Sequence, residues 1–172
     1  MVQQRSGIVT FQGRPVTLLG PELKAGDSAP DFECLSVDMK SMSLASTAGK
    51  VRVFSAVGSL DSSLCDQQTR RFDQLAAELP SDVAVITVSS DLPFTQARWS
   101  VVADASAIVT YSDYRGASFG LAYGVLIKEW RLLARSVFVV DGSDVIRHVQ
   151  IVPDMSSLPN FDAVLRAVSE AI

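Results

Sequence analysis

The chain has 172 residues, 48% of them hydrophobic and 20% charged, which is enough apolar content for one domain with its own core. It carries 15 Lys and Arg against 19 Asp and Glu, and this net charge of -4 excludes a basic surface for nucleic acid or an anionic membrane. No apolar run approaches the roughly 18 residues that a membrane span needs, and the first six residues lack the apolar stretch of a secretory signal, which favours a cytoplasmic protein.

The first segments of the chain predict strands. Residues 7–19 contain two β-prone runs around a Gly-containing turn, which predicts a hairpin, and Pro15 suits the start of an edge strand. Residues 31–37 and 50–56 are apolar strand candidates, and the β-branched character of the second is typical of a buried central strand.

An amphipathic helix is predicted over residues 62–79. Its apolar positions recur at steps of three and four, with the polar Gln68 as an exception. The run Asp61, Ser62 and Ser63, at the start of this pattern, supplies N-cap side chains, which places Cys65 in the first turn of the helix.

Strands and helices alternate over the rest of the chain. The predicted strands cover residues 83–89, 108–111, 136–140 and 145–152, and the predicted helices cover residues 94–103, 116–123 and 160–172. This α/β order, with right-handed β-α-β connections, favours a thioredoxin-like fold in which residues 1–172 form one domain and the hairpin 7–19 is an addition.

Residue types that bind metals or form disulfides are few. Two cysteines exclude a dense disulfide framework, and one histidine without a cluster of ligands offers no typical metal site, so neither a metal nor a cofactor is expected. Cys34 lies within an apolar strand, where a small buried hydrophobe is the ordinary interpretation. His148 alternates with Ile146 and Gln150 on a late strand and is expected at the surface or the rim.

Cys65 is the informative position, because it follows a buried strand and begins a helix. Backbone N–H groups at a helix start favour an anion, which biases a thiol towards the thiolate that attacks electrophiles. A helix end supplies at most about 2 kcal/mol, which is less than full ionisation of a thiol at neutral pH requires, so a nearby cation is expected to contribute. The alternative is an inert cysteine buried on the inner face of the helix.

Taken together, these segments resemble the thiol peroxidase branch of the peroxiredoxins, the atypical two-cysteine group. The resemblance covers nearly the whole chain and rests on residues 9–16, 26–32, 59–65, 90–98, 122–125 and 133–136, with Arg115 and Phe119. It implies a peroxiredoxin-type thioredoxin fold, a homodimer, and a peroxidase that reduces hydrogen peroxide and alkyl hydroperoxides with electrons from thioredoxin.

The resemblance also implies the roles of three residues. Cys65 would be the peroxidatic nucleophile that becomes sulfenic acid, Ser62 would hold the peroxide, and Arg135 would flank both. The guanidinium of Arg135 would supply the cation that the helix start alone lacks, and its fork of donors would help to hold the peroxide oxygens in line with the sulfur.

Two positions depart from the family pattern. Gly58 stands where the family usually has a proline, which predicts a looser or less shielded loop. Ser100 stands where the family has its resolving cysteine, and a serine cannot form the disulfide. The chain is then an engineered cysteine-to-serine variant, a one-cysteine enzyme resolved by an external thiol, or an enzyme in which Cys34 substitutes.

Two rival functions remain open from the sequence alone. One is a non-catalytic thioredoxin-like binding module with a degenerate redox site, although such a module has no chemical reason to keep Ser62, Cys65 and Arg135 together. The other is a monothiol version of a Cys-x-x-Cys reductase, in which the attacking thiol is normally the first member of the motif and not the last.

Overall fold

A seven-stranded mixed sheet forms the centre of the protein in a computed structural model that describes residues 1–172. Its strands, in chain order, are β3 (Cys34–Leu35), β4 (Ser41–Met42), β5 (Val51–Ala56), β6 (Val83–Ser89), β7 (Val109–Ser112), β9 (Ser136–Val140) and β10 (Ile146–Ile151), and their spatial order is β10-β9-β5-β6-β7-β3-β4. Strands β5, β6 and β7 run parallel, whereas β9 pairs antiparallel with β5.

Three further strands form a separate small sheet. They are β1 (Gln4–Phe11), β2 (Arg14–Leu19) and β8 (Leu126–Ile127), in the order β1-β2-β8. The predicted hairpin is therefore present, with positive φ angles at Gln12 and Gly13 in its turn. The prediction that Pro15 begins an edge strand was wrong for the far end of β2. There, Leu18 and Leu19 pair with β8 on the side of β2 that faces away from β1.

Four α-helices and one short 3₁₀ helix complete the fold. The α-helices are α1 (Ser63–Ala76), α2 (Pro93–Ala103), α3 (Ser118–Ala122) and α4 (Phe161–Ala171), and the 3₁₀ helix spans Leu44–Thr47. Helix α1 ends earlier than the predicted residue 79, because the N–H groups of Glu78 and Leu79 bond to carbonyls three residues back, in a tightened turn before Pro80. None of the helices combines the length and apolar character needed to cross a bilayer.

The central sheet separates two apolar clusters. Val53 and Val139 face one cluster together with Phe72 and Val164 from helices α1 and α4. The alternate strand positions, such as Phe54, face a second cluster that is rich in aromatic rings and contains α3 and the inner side of the hairpin. Cys65 belongs to the first cluster and Cys34 to the second, so the sheet lies between the two thiols.

The predicted strand at residues 31–37 is shorter in the structure, where only Cys34 and Leu35 are paired. The N–H of Phe32 donates to the Asp31 carboxylate, and the N–H of Glu33 donates to the Ser118 hydroxyl. These backbone N–H groups, which a longer strand would donate to its neighbouring strand, therefore donate to side chains.

Candidate active site

The start of α1 positions the thiol and the hydroxyl that the sequence singled out. Ser62 is the N-cap in an extended conformation, and its carbonyl accepts the Asp66 N–H at 2.9 Å. Its hydroxyl makes no capping hydrogen bond, so it is free to bind a ligand. Cys65 is the third helical residue and is only 3% exposed, and its N–H makes no hydrogen bond to the preceding backbone. The positive end of the helix therefore lies beside the sulfur.

Arg135 supplies the cation next to this sulfur. It directly precedes β9 and is 2% exposed, and its Nη2 lies 3.7 Å from Cys65 Sγ. The same nitrogen donates to the Met155 carbonyl at 3.1 Å. A guanidinium held this close in a buried environment stabilises a thiolate far more than a solvated cation does.

Gln68 holds the guanidinium in place. It lies one turn beyond Cys65 on α1, is fully buried, and accepts from Arg135 Nη1 at 2.7 Å. Its amide nitrogen donates to Ser55 Oγ on β5 at 2.8 Å, which fixes which end of the amide faces Arg135. The interruption of the predicted apolar pattern at Gln68 was the one sequence signal for this contact, and sequence reasoning gave it no role.

A cavity of about 490 Å³ opens beside the sulfur. Its lining residues are Phe11, Gln12, Gly58, Ser59, Ser62, Leu64, Cys65, Leu132, Arg135, Met155 and Ser156. The structure thus brings Cys65, Ser62 and Arg135 to one cavity, and Arg135 is the only charged residue among the lining residues. The hairpin, which the sequence presented as an addition, contributes Phe11 and Gln12 to the wall.

The loop before Ser62 is fixed by a carboxylate that sequence reasoning did not identify. Asp91, which precedes α2, accepts the Ser59 hydroxyl at 2.7 Å, the Leu60 N–H at 2.8 Å and the Ser89 hydroxyl at 2.7 Å. Gly58 lies outside the left-handed region, and a Cβ there would meet only the Leu133 carbonyl, at 3.7 Å. The backbone conformation therefore does not require glycine at this position. The Asp91 hydrogen bonds fix the loop, which here lacks the rigid proline ring of the family pattern.

We expect Asp91→Ala to lower the free energy of unfolding by about 2 kcal/mol, because three donors lose a charged acceptor. The released loop should also raise the rate at which iodoacetamide alkylates Cys65. Urea unfolding and an alkylation time course measure the two effects. Asp82→Ala, which removes an exposed carboxylate away from the loop, should change neither.

Ser100 lies outside the Cys65 cavity. It is half-buried on α2, and its hydroxyl donates to the Gln96 carbonyl at 3.0 Å. It lines a different cavity, near Met42 and Tyr111, that shares no residue with the one at Cys65.

Cys34 is a buried thiol with no access to Cys65. Its Sγ lies 3.5 Å from Asp113 Oδ1, and burial, followed by the nearby Asp113 carboxylate, raises the pKa of Cys34 far above its ordinary value. The thiol form is therefore favoured, which agrees with its interpretation as a small buried hydrophobe.

His148 is half-buried on β10, takes no part in the cavity, and its Nε2 has no hydrogen-bond partner. Burial lowers its pKa below the ordinary value of about 6.5. The unfolded chain then binds the proton more readily, so this residue's contribution to stability is complete above pH 6.5 and is lost as the pH falls.

We expect His148→Gln to remove this part of the pH dependence of the free energy of unfolding, which urea unfolding at several pH values measures. In the unsubstituted protein, the Hε1 resonance of the only histidine should titrate below pH 6.5.

Known proteins resemble the chain over almost its full length. The family model described as Redoxin matches residues 24–165. A thiol peroxidase of Oceanobacillus iheyensis is 49% identical over 157 residues, covering 91% of this chain and 95% of that protein. A thiol peroxidase of Bacillus subtilis is 46% identical over 164 residues, covering 95% of this chain and 98% of that protein. The crystal structure of a peroxiredoxin-like protein from Aquifex aeolicus superposes with a TM-score of 0.90 at 36% identity, covering 99% of both chains.

Proposed function

The chain belongs to the redoxin family, in its thiol peroxidase branch, and on this premise we propose which residues carry out its thiol-dependent reduction of peroxides. Cys65 is the nucleophile, Ser62 positions the peroxide, and Arg135 stabilises the thiolate and the transition state. The observation that carries the proposal is the 3.7 Å approach of the Arg135 guanidinium to Cys65 Sγ inside a cavity that Ser62 also lines.

The reaction follows from this arrangement. The Cys65 thiolate attacks one peroxide oxygen, an S–O bond forms, and the O–O bond breaks. The sulfur is oxidised to sulfenic acid, the peroxide is reduced, and the departing oxygen takes a proton and leaves as water or an alcohol. Arg135 and the N–H groups at the start of α1 stabilise the negative charge as it moves from sulfur to oxygen, and they are already in place before the reaction.

The substrate range includes alkyl hydroperoxides as well as hydrogen peroxide. Phe11, Leu64, Leu132 and Met155 form apolar walls around the thiol, and such walls accommodate a hydrocarbon chain. Hydrogen peroxide needs only the polar end of the cavity, at Ser62 and Arg135. Both classes therefore share one attack geometry at the sulfur.

The chain works as a one-cysteine enzyme in this proposal. Ser100 offers no thiol, and Cys34 lies on the other side of the sheet from Cys65. This separation does not support Cys34 as a substitute for the resolving cysteine. Thioredoxin or another external thiol then regenerates Cys65. A cytoplasmic location accords with chemistry that starts from a free thiol.

We also propose that the chain, as a single domain over residues 1–172, forms a homodimer. Phe94 and Val101 are 70% and 82% exposed, and their spacing of seven residues places them on one face of α2. Val102 beside them is 74% exposed, and a patch of exposed apolar side chains is typical of an interaction surface. We expect the double substitution Phe94→Glu and Val101→Glu to give a monomer in sedimentation velocity, whereas Leu158→Glu, at another exposed apolar position, should leave the dimer intact.

The decisive experiment mixes the reduced protein with one equivalent of cumene hydroperoxide. We expect a rapid burst that consumes one thiol per chain, with a mass gain of one oxygen atom. An unchanged thiol titre would reject the peroxidase assignment and support the binding-module alternative. That alternative has no structural observation in its favour, since the thiol, hydroxyl and cation line one cavity.

A further inference from the structure

We propose that the N-terminal hairpin positions the guanidinium of Arg135, and that the main chain of Thr10 is the contact through which the hairpin acts. The inference rests on the proposed function, because it presupposes that Arg135 takes part in the oxidation of Cys65. It makes Thr10 a positioning residue, and it gives the hairpin a part in the reaction beyond the cavity wall at Phe11 and Gln12.

The segment that follows β10 holds Arg135 through two main-chain contacts. The N–H of Val152 donates to the Arg135 carbonyl at 2.9 Å, and the Met155 carbonyl accepts from Arg135 Nη2 at 3.1 Å. The same Nη2 lies 3.7 Å from Cys65 Sγ. The place of the Met155 carbonyl therefore helps to determine where this nitrogen lies relative to the sulfur.

The loop that carries this carbonyl has little packing of its own. Pro153, Asp154 and Ser156 are exposed, and Met155 is half-buried. The Asp154 carboxylate accepts the N–H and the hydroxyl of Ser156, and the Asp154 carbonyl accepts the Ser157 N–H. These local contacts shape the turn, but they do not fix it against the rest of the protein. An exposed loop of this kind keeps one position only if another element holds it.

Thr10 on β1 supplies that attachment. Its N–H donates to the Pro153 carbonyl at 2.7 Å, and its carbonyl accepts the Met155 N–H at 3.0 Å. Its hydroxyl adds a longer contact to the Pro153 carbonyl, at 3.4 Å. Met155 thus bonds to the hairpin through its N–H and to Arg135 through its carbonyl. A single residue of the loop connects the hairpin to the guanidinium.

The irregular pairing of the hairpin presents Thr10 to this loop. Thr10 lies opposite Pro15 of β2, which has no N–H that could compete for the Thr10 carbonyl. Between this pair and the pair of Ser6 with Thr17, residues 7–9 of β1 lie opposite Val16 alone, and Gly7 has a φ of +78°. Such a bulge bends its strand and redirects the groups beside it.

The guanidinium is therefore fixed from two sides. Gln68 on α1 accepts from Nη1 at 2.7 Å, and Met155, held by Thr10, accepts from Nη2. A reacting group that is misplaced by about 1 Å can lose about 10²-fold in rate. Loss of the Thr10 contact should therefore slow the oxidation of Cys65, although it removes no group from the cavity.

The first test removes one donor from the hairpin. Thr10→Pro loses the N–H that bonds to Pro153, and it costs the hairpin no ladder bond, because this N–H bonds to the loop and not to β2. We expect the second-order rate constant of Cys65 oxidation to fall about tenfold, by the same factor for hydrogen peroxide and for cumene hydroperoxide. Thr10→Val keeps the N–H and should return the constant to within about twofold of the unsubstituted protein.

The Arg135→Met background shows whether the effect passes through the arginine. Adding Thr10→Pro to this background should lower the constant by less than about twofold, because no guanidinium is left to position. An equal loss in both backgrounds would mean a general distortion of the site and would overturn the inference. A loss for cumene hydroperoxide alone would also overturn it, because it would indicate a change in the cavity wall at Phe11.

A second pair of variants cuts the contact from the loop and leaves the hairpin sequence intact. Met155→Pro removes the N–H that Thr10 accepts, whereas Met155→Ala removes the side chain and keeps that N–H. We expect the proline variant to be about fivefold slower than the alanine variant, with similar midpoints of urea unfolding.

The outcomes separate the inference from the proposed function. If Thr10→Pro reacts as fast as Thr10→Val, or Met155→Pro as fast as Met155→Ala, the inference is wrong and the peroxidase assignment stands. If the unsubstituted protein gains no oxygen atom from peroxide, or if Arg135→Met is oxidised at an unchanged rate, the proposed function itself fails.

Discussion

Cys65→Ser is expected to abolish the peroxide-dependent loss of thiol, whereas Cys34→Ser should keep the rate of that loss within about twofold. A serine hydroxyl in the same first turn of α1 is not ionised at neutral pH and does not attack the O–O bond, even with Arg135 beside it. Cys34, by contrast, is buried across the sheet, where burial raises its pKa. Stopped-flow mixing with cumene hydroperoxide, followed by thiol titration in denaturant, measures both variants.

Each variant serves as the control for the other, since each retains one of the chain's two thiols. Residual burst activity in Cys65→Ser would show that Cys34 reacts with peroxide and would contradict the assignment of the nucleophile. Loss of the burst in Cys34→Ser with unchanged urea unfolding would instead reveal a role for Cys34 in catalysis. Similar unfolding midpoints in both variants would confirm that the comparison reports chemistry and not folding.

The parts of the fold that follow from local pattern were predicted well from the sequence. The strands 83–89 and 136–140 have the predicted bounds, because continuous β-prone runs bury both faces of a central strand. Strands β4 and β8 were not predicted, since each has two residues and exists only through its pairing with a distant partner. The thioredoxin-like, peroxiredoxin-type fold is confirmed by the match to the Redoxin family and by the structural likeness.

The candidate site was predictable in part, for a physical reason. Cys65 could be found locally, because a helix start is visible in the sequence, whereas Ser62 was found locally only as an N-cap candidate and was linked to the peroxide by the family resemblance. Arg135 lies 70 residues further along the chain, so only the family resemblance linked it to the thiol. The Asp91 contacts with the loop and the place of Phe11 in the cavity wall depend on tertiary packing, and no pattern in either segment pointed to them.

Arg135→Met should lower the second-order rate constant of Cys65 oxidation by about 10²–10³, the usual effect of losing one preorganised electrostatic group. Arg135→Lys should be less damaging, because it keeps the charge. One ammonium group, however, cannot reproduce the planar fork that donates to Gln68, Met155 and Cys65. Competition with a second peroxide-consuming thiol protein of known rate measures the constants. Arg147→Met, which removes an exposed arginine from its pair with Asp141, should leave them unchanged.

A double-mutant cycle separates the charge of Arg135 from its placement. Gln68→Met removes the acceptor at 2.7 Å that orients the guanidinium and should slow oxidation about tenfold on its own, while urea unfolding shows whether the fold persists. If Gln68 acts only by positioning Arg135, then adding Gln68→Met to Arg135→Met should cost no further rate. Additive losses would mean that Gln68 acts on the thiol by another route, and an equally fast Arg135→Met protein would remove the guanidinium from the mechanism altogether.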